Sequence, residues 1–382
     1  MKISTMFNGE YPERINIVKG NINDRKCIDG FIENEISGKN IPIVQAGYNG
    51  RGLSVLNFTV DEDNNVINVK ANTRVFYNES PENEFEEDNI ESRINSKEWF
   101  EEGKTIISIA FPYVFSDNNL KTKSENNFSI YTQGLDYHHV VNKYLNKICE
   151  IIEANGGKYK TFVDSNTLPE RYLAYISGVG FIGKNNLIIT PKHGSYVFLG
   201  EIITDLEIYD EDKRHFDEID LFRECGECSI CYDKCPTKSI NNVRKNCNIC
   251  LSYITQKKDL SDWEIKKLDG RMFGCDTCQL GCPYNSKIEK SQLKEFKPLD
   301  WFCDYDEDYI IDMNNSMFKE SFKKTSCGWR GKNILKRNAL IRKYIFKNES
   351  IDNLKTVKFE SPYLEEYLKR IAEMKSDKVL KK

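Results

Sequence analysis

The sequence predicts an α+β protein in three parts. These are an α/β or α+β domain over residues 1–210, a cysteine-rich segment over 211–290 and a short helical region over 291–382. Three observations support that division. Strand-like and helix-like patterns alternate up to residue 210, as mixed layered folds require. Nine of the thirteen cysteines then crowd into residues 225–282. Beyond residue 295 the apolar positions recur at helical spacing, most clearly at Tyr363, Leu364, Tyr367, Leu368 and Ile371.

In chain order, the β-rich runs 53–60 and 66–77 flank the turn Asp61-Glu-Asp-Asn-Asn65 and read as a hairpin. Residues 78–91 carry seven acids and read as an exposed loop. Thr105–Phe111 reads as a buried strand stopped by Pro112. Val141, Tyr144, Leu145, Ile148 and Ile152 define one helical face over 136–153, ended by Gly156-Gly157. Tyr159–Val163 returns as a strand that delivers Asp164 at its end. Thr167-Leu-Pro-Glu170 has the form of a capping box with proline near the first turn, opening a helix through Ile176. Leu187–Thr190 and Tyr196–Thr204 suggest a second hairpin around Pro191-Lys-His-Gly194. The string Gly178-Val-Gly-Phe-Ile-Gly183 follows a helix, not a strand, so it does not read as a dinucleotide site.

Composition narrows the function classes. The formal net charge of −4 excludes a general polycation, so a nucleic-acid partner would need a local basic surface. No apolar run approaches the roughly 18 residues of a membrane span. The N-terminus has neither an apolar core nor a twin arginine, so a cytoplasmic protein with no membrane partner is expected. Clustered cysteines in such a chain point to metal ligation and away from a disulfide scaffold.

The cysteine spacing is specific. Cys225, Cys228, Cys231 and Cys235-Pro236 form C-x2-C-x2-C-x3-C-P, the pattern by which bacterial-ferredoxin-like segments hold [4Fe–4S] clusters. Cys275, Cys278 and Cys282-Pro283 repeat it in part. Because the cysteine before proline serves the neighbouring cluster, Cys225, Cys228, Cys231 and Cys282 are expected on one cluster. Cys235, Cys275, Cys278 and either Cys247 or Cys250 are expected on the other. Zinc also uses paired cysteines, but its sites do not call for three successive C-x2-C steps ending twice in Cys-Pro. His138 and His139 open a helix and read as first-turn or pocket-lining residues.

Taken with the double cysteine motif, three further blocks form a recognisable set: Tyr131-Thr-Gln-Gly-Leu-Asp-Tyr-His-His139, Val163-Asp-Ser165 running to Gly194-Ser195, and Cys250-Leu-Ser-Tyr-Ile-Thr255. From about Phe128 to Asn285 this set resembles the epoxyqueuosine reductase family. The resemblance implies an oxidoreductase with cobalamin beside two [4Fe–4S] clusters, acting on epoxyqueuosine in the anticodon region of tRNA. It implies a cobalamin-binding role for the domain over 1–210, and an external low-potential electron donor. It assigns the proton-donor role to Asp164, and corrin contacts to Tyr131, Arg171, Lys184, Asn185, Ser195, Ser252 and Asp276. The Cys250 block favours Cys250 over Cys247 as a ligand. A carboxyl at a strand end in a partly apolar pocket would also be expected to have a raised pKa.

Nine Lys/Arg and no acid fall between Lys323 and Lys347, interleaved with Trp329, Tyr344 and Phe346. Phosphate neutralisation with base stacking is what RNA contact asks for, and a monomer with tRNA contacts in its C-terminal region is expected. Two other readings share these features: a dehalogenase-like cobalamin reductase of another substrate, and a ferredoxin-like electron carrier. Corrinoid binding separates the last from the first two.

Overall fold

The computed structural model describes residues 99–115, 128–208, 221–242, 245–302, 306–351, 359 and 361–379, with the backbone of five strands before residue 76. The chain divides into two compact units, Met1–Ser80 and Pro81–Lys382. The expected boundary at 210 does not separate two bodies: Gly194 and Ser195 pack on Asn285, and Phe128 bridges to Phe273. In the first unit β1 (Ile15–Ile17), β2 (Asp29–Asn34) and β3 (Asn40–Val44) form one antiparallel sheet. There β4 (Gly52–Val60) and β5 (Val66–Val75) form the expected hairpin. The acidic stretch 78–91, Cys27 and Cys303 lie outside the described residues.

The second unit is built on a three-stranded antiparallel sheet of order β6-β10-β7: β6 (Thr105–Pro112), β7 (Tyr159–Phe162) and β10 (Val197–Thr204). On one face lies α1 (Tyr137–Ala154), whose Val141, Leu145, Cys149 and Ile152 are buried as the 3.6-residue period requires. Gly200 lets this helix approach: a Cβ there would come within 2.7 Å of Val141. Removing a buried side chain such as Leu145 should cost about 2–5 kcal/mol. On the other face α2 (Glu170–Ile176) packs Leu173 against Phe162 and Ile203.

Two local expectations fail here. Pro169 takes the cap position of α2 with no side-chain cap, and Glu170 bonds instead to the turn before it. The second hairpin is also different: β8 (Phe181–Ile182) pairs β9 (Ile188–Ile189), while β10 joins the main sheet. The turn at Gly194 does close, through a Thr190–Gly194 bridge. It needs glycine: φ is +58°, and a Cβ would come within 2.0 Å of Asn285 Oδ1.

The cysteine segment is made of single helical turns, yet it is not a core of clusters alone. Leu251, Ile254, Met272 and Phe273 share one apolar core with Phe322, Leu335, Leu340, Leu364, Tyr367 and Ile371 from the helical region. The final helix, Pro362–Val379, buries the face the sequence predicts. Among the described residues, no helix is long and apolar enough to cross a membrane.

Candidate active site

Asp164 sits two residues past the end of β7, in a left-handed conformation with φ 56° that only short polar residues and glycine adopt readily. Its exposed carboxylate meets the first turn of α1. Tyr137 donates its hydroxyl to Asp164 Oδ2 at 2.5 Å, and His138 Nε2 lies 3.3 Å from the same oxygen. The other ring nitrogen of His138 is 2.8 Å from Asp136, which also caps α1 by accepting the His138 backbone N–H. His138 stacks on Tyr137, which stacks on Phe198 with rings 7° from parallel.

Held between two carboxylates, His138 has its pKa raised to about 9, chiefly through its bonds to Asp136 and Asp164. The imidazole is therefore charged at neutral pH. Partial desolvation by its packed neighbours pushes the Asp164 carboxyl up, but the bonds from His138 and Tyr137 outweigh it and hold the pKa below the usual value. This reverses the expected direction: the proton at this site rests on His138. Sequence reasoning missed His138 and Tyr137 as partners of Asp164. The signal was the Asp136-Tyr-His138 run at a helix start, where a capping carboxylate and a first-turn histidine come together by construction.

The cysteines gather as two groups. Cys225, Cys228, Cys231 and Cys282 surround a cavity of about 250 Å³ that Lys184, Asn185, Pro283 and Tyr284 help to line. Cys225 and Cys228 lie on the loop through Gly226 (φ 45°). The loop is tethered by the Lys184 ammonium on the Gly226 and Cys228 carbonyls and by the Lys184 N–H 3.4 Å from Cys225 Sγ. Asn185 accepts from Leu187 N–H, but its Nδ2 is buried with no protein partner. A buried amide donor lining a thiol-ringed cavity suits a sulfur-rich group, whose sulfides accept such bonds.

The second group is Cys235, Cys250, Cys275 and Cys278. Burial and then the charges of Cys275 and Cys235 push the Cys250 thiol up to about 11, while Cys278 is raised by burial, Cys275 and Cys250. Cys250 lies within reach of the charges of Cys275 and Cys235. Among the described residues, no three Cys, His, Asp or Glu side chains converge as around one ion. Tetrahedral zinc would need its donors about 2.3 Å from a single point, whereas the thiols of the first group ring a volume.

Several predicted corrin contacts already have partners within the chain. Ser195 exchanges two 2.8 Å bonds with Asn285, and Asp276 accepts from Ser129 Oγ and Ile130 N–H. These bonds fasten the sheet domain to the cysteine segment. Lys184 and Asn185 serve the first cysteine group. Tyr131 is half-buried beside Tyr137, and its hydroxyl bonds Ser252. Arg171 donates to the Asn186 carbonyl at 2.6 Å; its charge reaches Glu170 on one side and Lys245, beside Cys225 and Cys231, on the other. A basic edge thus runs between Asp164 and the first cysteine group. Amide- and phosphate-bearing ligands fit donors of this kind.

The basic stretch divides in two. Arg337 is fully buried and donates to the carbonyls of Thr255, Lys257 and Lys258. Arg342 and Lys347 bond Glu307, and Lys343 bonds Asp308. Arg337 thus ties the helical region to the cysteine segment, and the other three pair with acids within the helical region, so these cations have structural partners in the chain. Lys323 and Lys324 are exposed, and the Lys324 carbonyl accepts the Asp136 N–H at 2.9 Å, which places them at the rim of the Asp164 site. Trp329 is half exposed, with Arg330 over its ring at 4.8 Å.

A mixed α/β fold joined to a double-cluster segment places the chain among iron–sulfur oxidoreductases. The family model described as "Epoxyqueuosine reductase QueG, DUF1730" matches residues 93–165, and "4Fe-4S double cluster binding domain" matches residues 224–285. The epoxyqueuosine reductase of Lactococcus garvieae is 35% identical over 263 residues, covering 67% of this chain and 73% of that one. An epoxyqueuosine reductase structure with an epoxyqueuosine-modified tRNA-Tyr stem loop superposes with TM-score 0.66 at 31% identity, covering 75% and 77% of the two chains. A Bacillus subtilis structure with its catalytic aspartate loop swung out of the active site gives TM-score 0.65 at 31% identity, covering 74% and 77%. The chain belongs to the epoxyqueuosine reductase family.

Proposed function

We propose that this protein reduces epoxyqueuosine to queuosine in tRNA, drawing electrons from an external low-potential donor through two [4Fe–4S] clusters to cobalamin. The main support is the chain Asp136–His138–Asp164 at the open end of β7, in a family of that name. Removing an epoxide oxygen as water consumes two electrons and two protons, so the site must hold a proton near the substrate. The charged His138 holds one, and Asp164, exposed beside it, is the group that passes it to the departing oxygen. Tyr137 fixes the carboxylate from the other side.

Cys225, Cys228, Cys231 and Cys282 would hold the first cluster, and Cys235, Cys250, Cys275 and Cys278 the second. Asn185 would donate to a sulfide of the first cluster. Cobalamin would meet Arg171, Tyr131 and Ser252; when bound, it supplies the low-valent metal that delivers electrons to the substrate. Lys323, Lys324 and Trp329 are the basic and aromatic groups placed to receive the anticodon region, whose wobble base would be splayed toward Asp164. We take the protein to act in the cytoplasm as a monomer.

The test is reconstitution with iron, sulfide and cobalamin, followed by nucleoside analysis of epoxyqueuosine-bearing tRNA under a low-potential reductant. Queuosine formation is expected. A fully loaded protein that forms none would remove the substrate assignment.

A further inference from the structure

Behind Asp164 lies an acidic pair that the proposed reaction does not use. Glu201 sits within β10, in register with Ser108 on β6 and Phe162 on β7, and is fully buried. Gly200 faces α1, so strand alternation turns Glu201, with Ile203, toward α2. Its Oε1 accepts from Ser108 Oγ at 3.0 Å, while Oε2 is buried with no protein partner. Glu170, the first residue of α2, lies within reach of Glu201's charge. Glu170 Oε1 accepts the Asp164 N–H at 2.7 Å and Asn166 Nδ2 at 2.8 Å.

With Glu201 fully buried and Glu170 half-buried within reach of its charge, the two carboxylates cannot both ionise without repulsion and desolvation. Burial raises both pKa values, Glu201 further through the Glu170 charge and Glu170 further through Asp164. The other groups facing the pair are Arg171 on α2, which favours an ionised Glu170, the Ser108 hydroxyl on β6, and His138 of α1 acting through Asp164. An orphaned carboxylate oxygen is costly where a neutral carboxyl is not.

We propose that Glu201 retains one proton for the pair, so that Glu170 stays ionised and fastens the Asp164 turn to the head of α2. Glu170 is then a positioning residue: it grips the backbone N–H of a residue held in a strained left-handed conformation. Glu201 is its silent partner, neutral at working pH. At alkaline pH, loss of the Glu201 proton makes the pair repel, and the turn loosens. The meaning of this fastening for catalysis rests on the role proposed for Asp164; the fastening itself can be read without turnover.

The experiment uses the full-length, cluster-containing protein and its Glu201→Gln, Glu170→Gln and Glu170→Ala variants. Infrared difference spectra near pH 8, between about 7 for Glu170 and about 9 for Glu201, should show a protonated-carboxyl band that Glu201→Gln abolishes and Glu170→Gln retains. Hydrogen exchange of peptides spanning 160–172 should quicken about tenfold in Glu170→Ala, as loss of two hydrogen bonds implies, with β10 unaffected. Glu170→Gln, which keeps an acceptor oxygen, should restore part of that protection. After correction for intrinsic rates, alkaline loosening of the turn should occur in the wild type and vanish in Glu201→Gln. Absence of the protonated carboxyl, or alkaline loosening unchanged by Glu201→Gln, would overturn the proposal. Should Glu170→Ala fail to fold, the two glutamine variants decide it. Because these readouts need no tRNA, a failed queuosine assay leaves them standing.

Discussion

The two centres of this molecule are assembled in opposite ways. The cysteine groups come from one stretch of about sixty residues, and every member is a thiol with the same proposed task. The acid site draws on the capping turn of α1, the end of β7 and a turn of the helical region, and each member has a different task. A centre of the first kind fails outright when one member is lost. The second kind loses tuning first, because its remaining members still hold the geometry.

Replacing Cys282 with serine should test that contrast most severely. Iron content is expected to fall to about half as the first cluster is lost, with reductase activity at background by nucleoside assay. Retention of both clusters would mean that Cys282 is not a ligand. Asp164→Asn should leave iron content untouched while lowering the rate by about 10²–10⁴-fold, the usual worth of a placed proton donor. Rapid turnover by that variant would return Asp164 to the role of a turn residue.

Changing His138 to glutamine should act more gently and mainly through pH. The wild-type rate should decline as pH rises through about 9, where His138 gives up its proton. In the variant that decline should move to lower pH, because Asp164 alone must then hold the proton. Stability follows the same sign: the raised pKa of His138 favours the folded state fully below about 6.5, and the benefit is gone above about 9. Urea titrations across that window, with and without the histidine, would show it. Asn185→Ser should lower the potential of the first cluster in a redox titration followed by electron paramagnetic resonance, with little change in iron content. The smallest effect is expected of Lys323→Ala with Lys324→Ala: weaker tRNA binding with a shallower salt dependence, by about one unit of slope per phosphate contact.

The double-cluster motif was legible because ligation imposes spacing, and spacing survives in one dimension. Strand β6, helix α1 and the last helix were legible from periodicity for the same reason. What escaped were relations across the chain. The charge of Asp164 is set by His138 and Tyr137, whose approach depends on how α1 meets β7, and no local pattern records that. Arg337 and Lys323 look alike in a basic stretch, yet one is a core strut and the other a rim cation; only packing against Thr255 and Lys257 tells them apart. The capping-box pattern at Thr167 misled because Glu170 had a better use for its carboxylate at Asp164.

The turn before α1 carries a consequence for how the protein comes to be active. Leu135 N–H is held by the Glu295 carbonyl, and Asp136 N–H by the Lys324 carbonyl. The residues that orient His138 are thus clasped by chain that leaves the ribosome nearly two hundred residues later. The first cysteine group, lined by residues 184–284, is complete in the nascent chain before that clasp can form. The second group and the proton-handling site both await docking of the helical region, which completes them together.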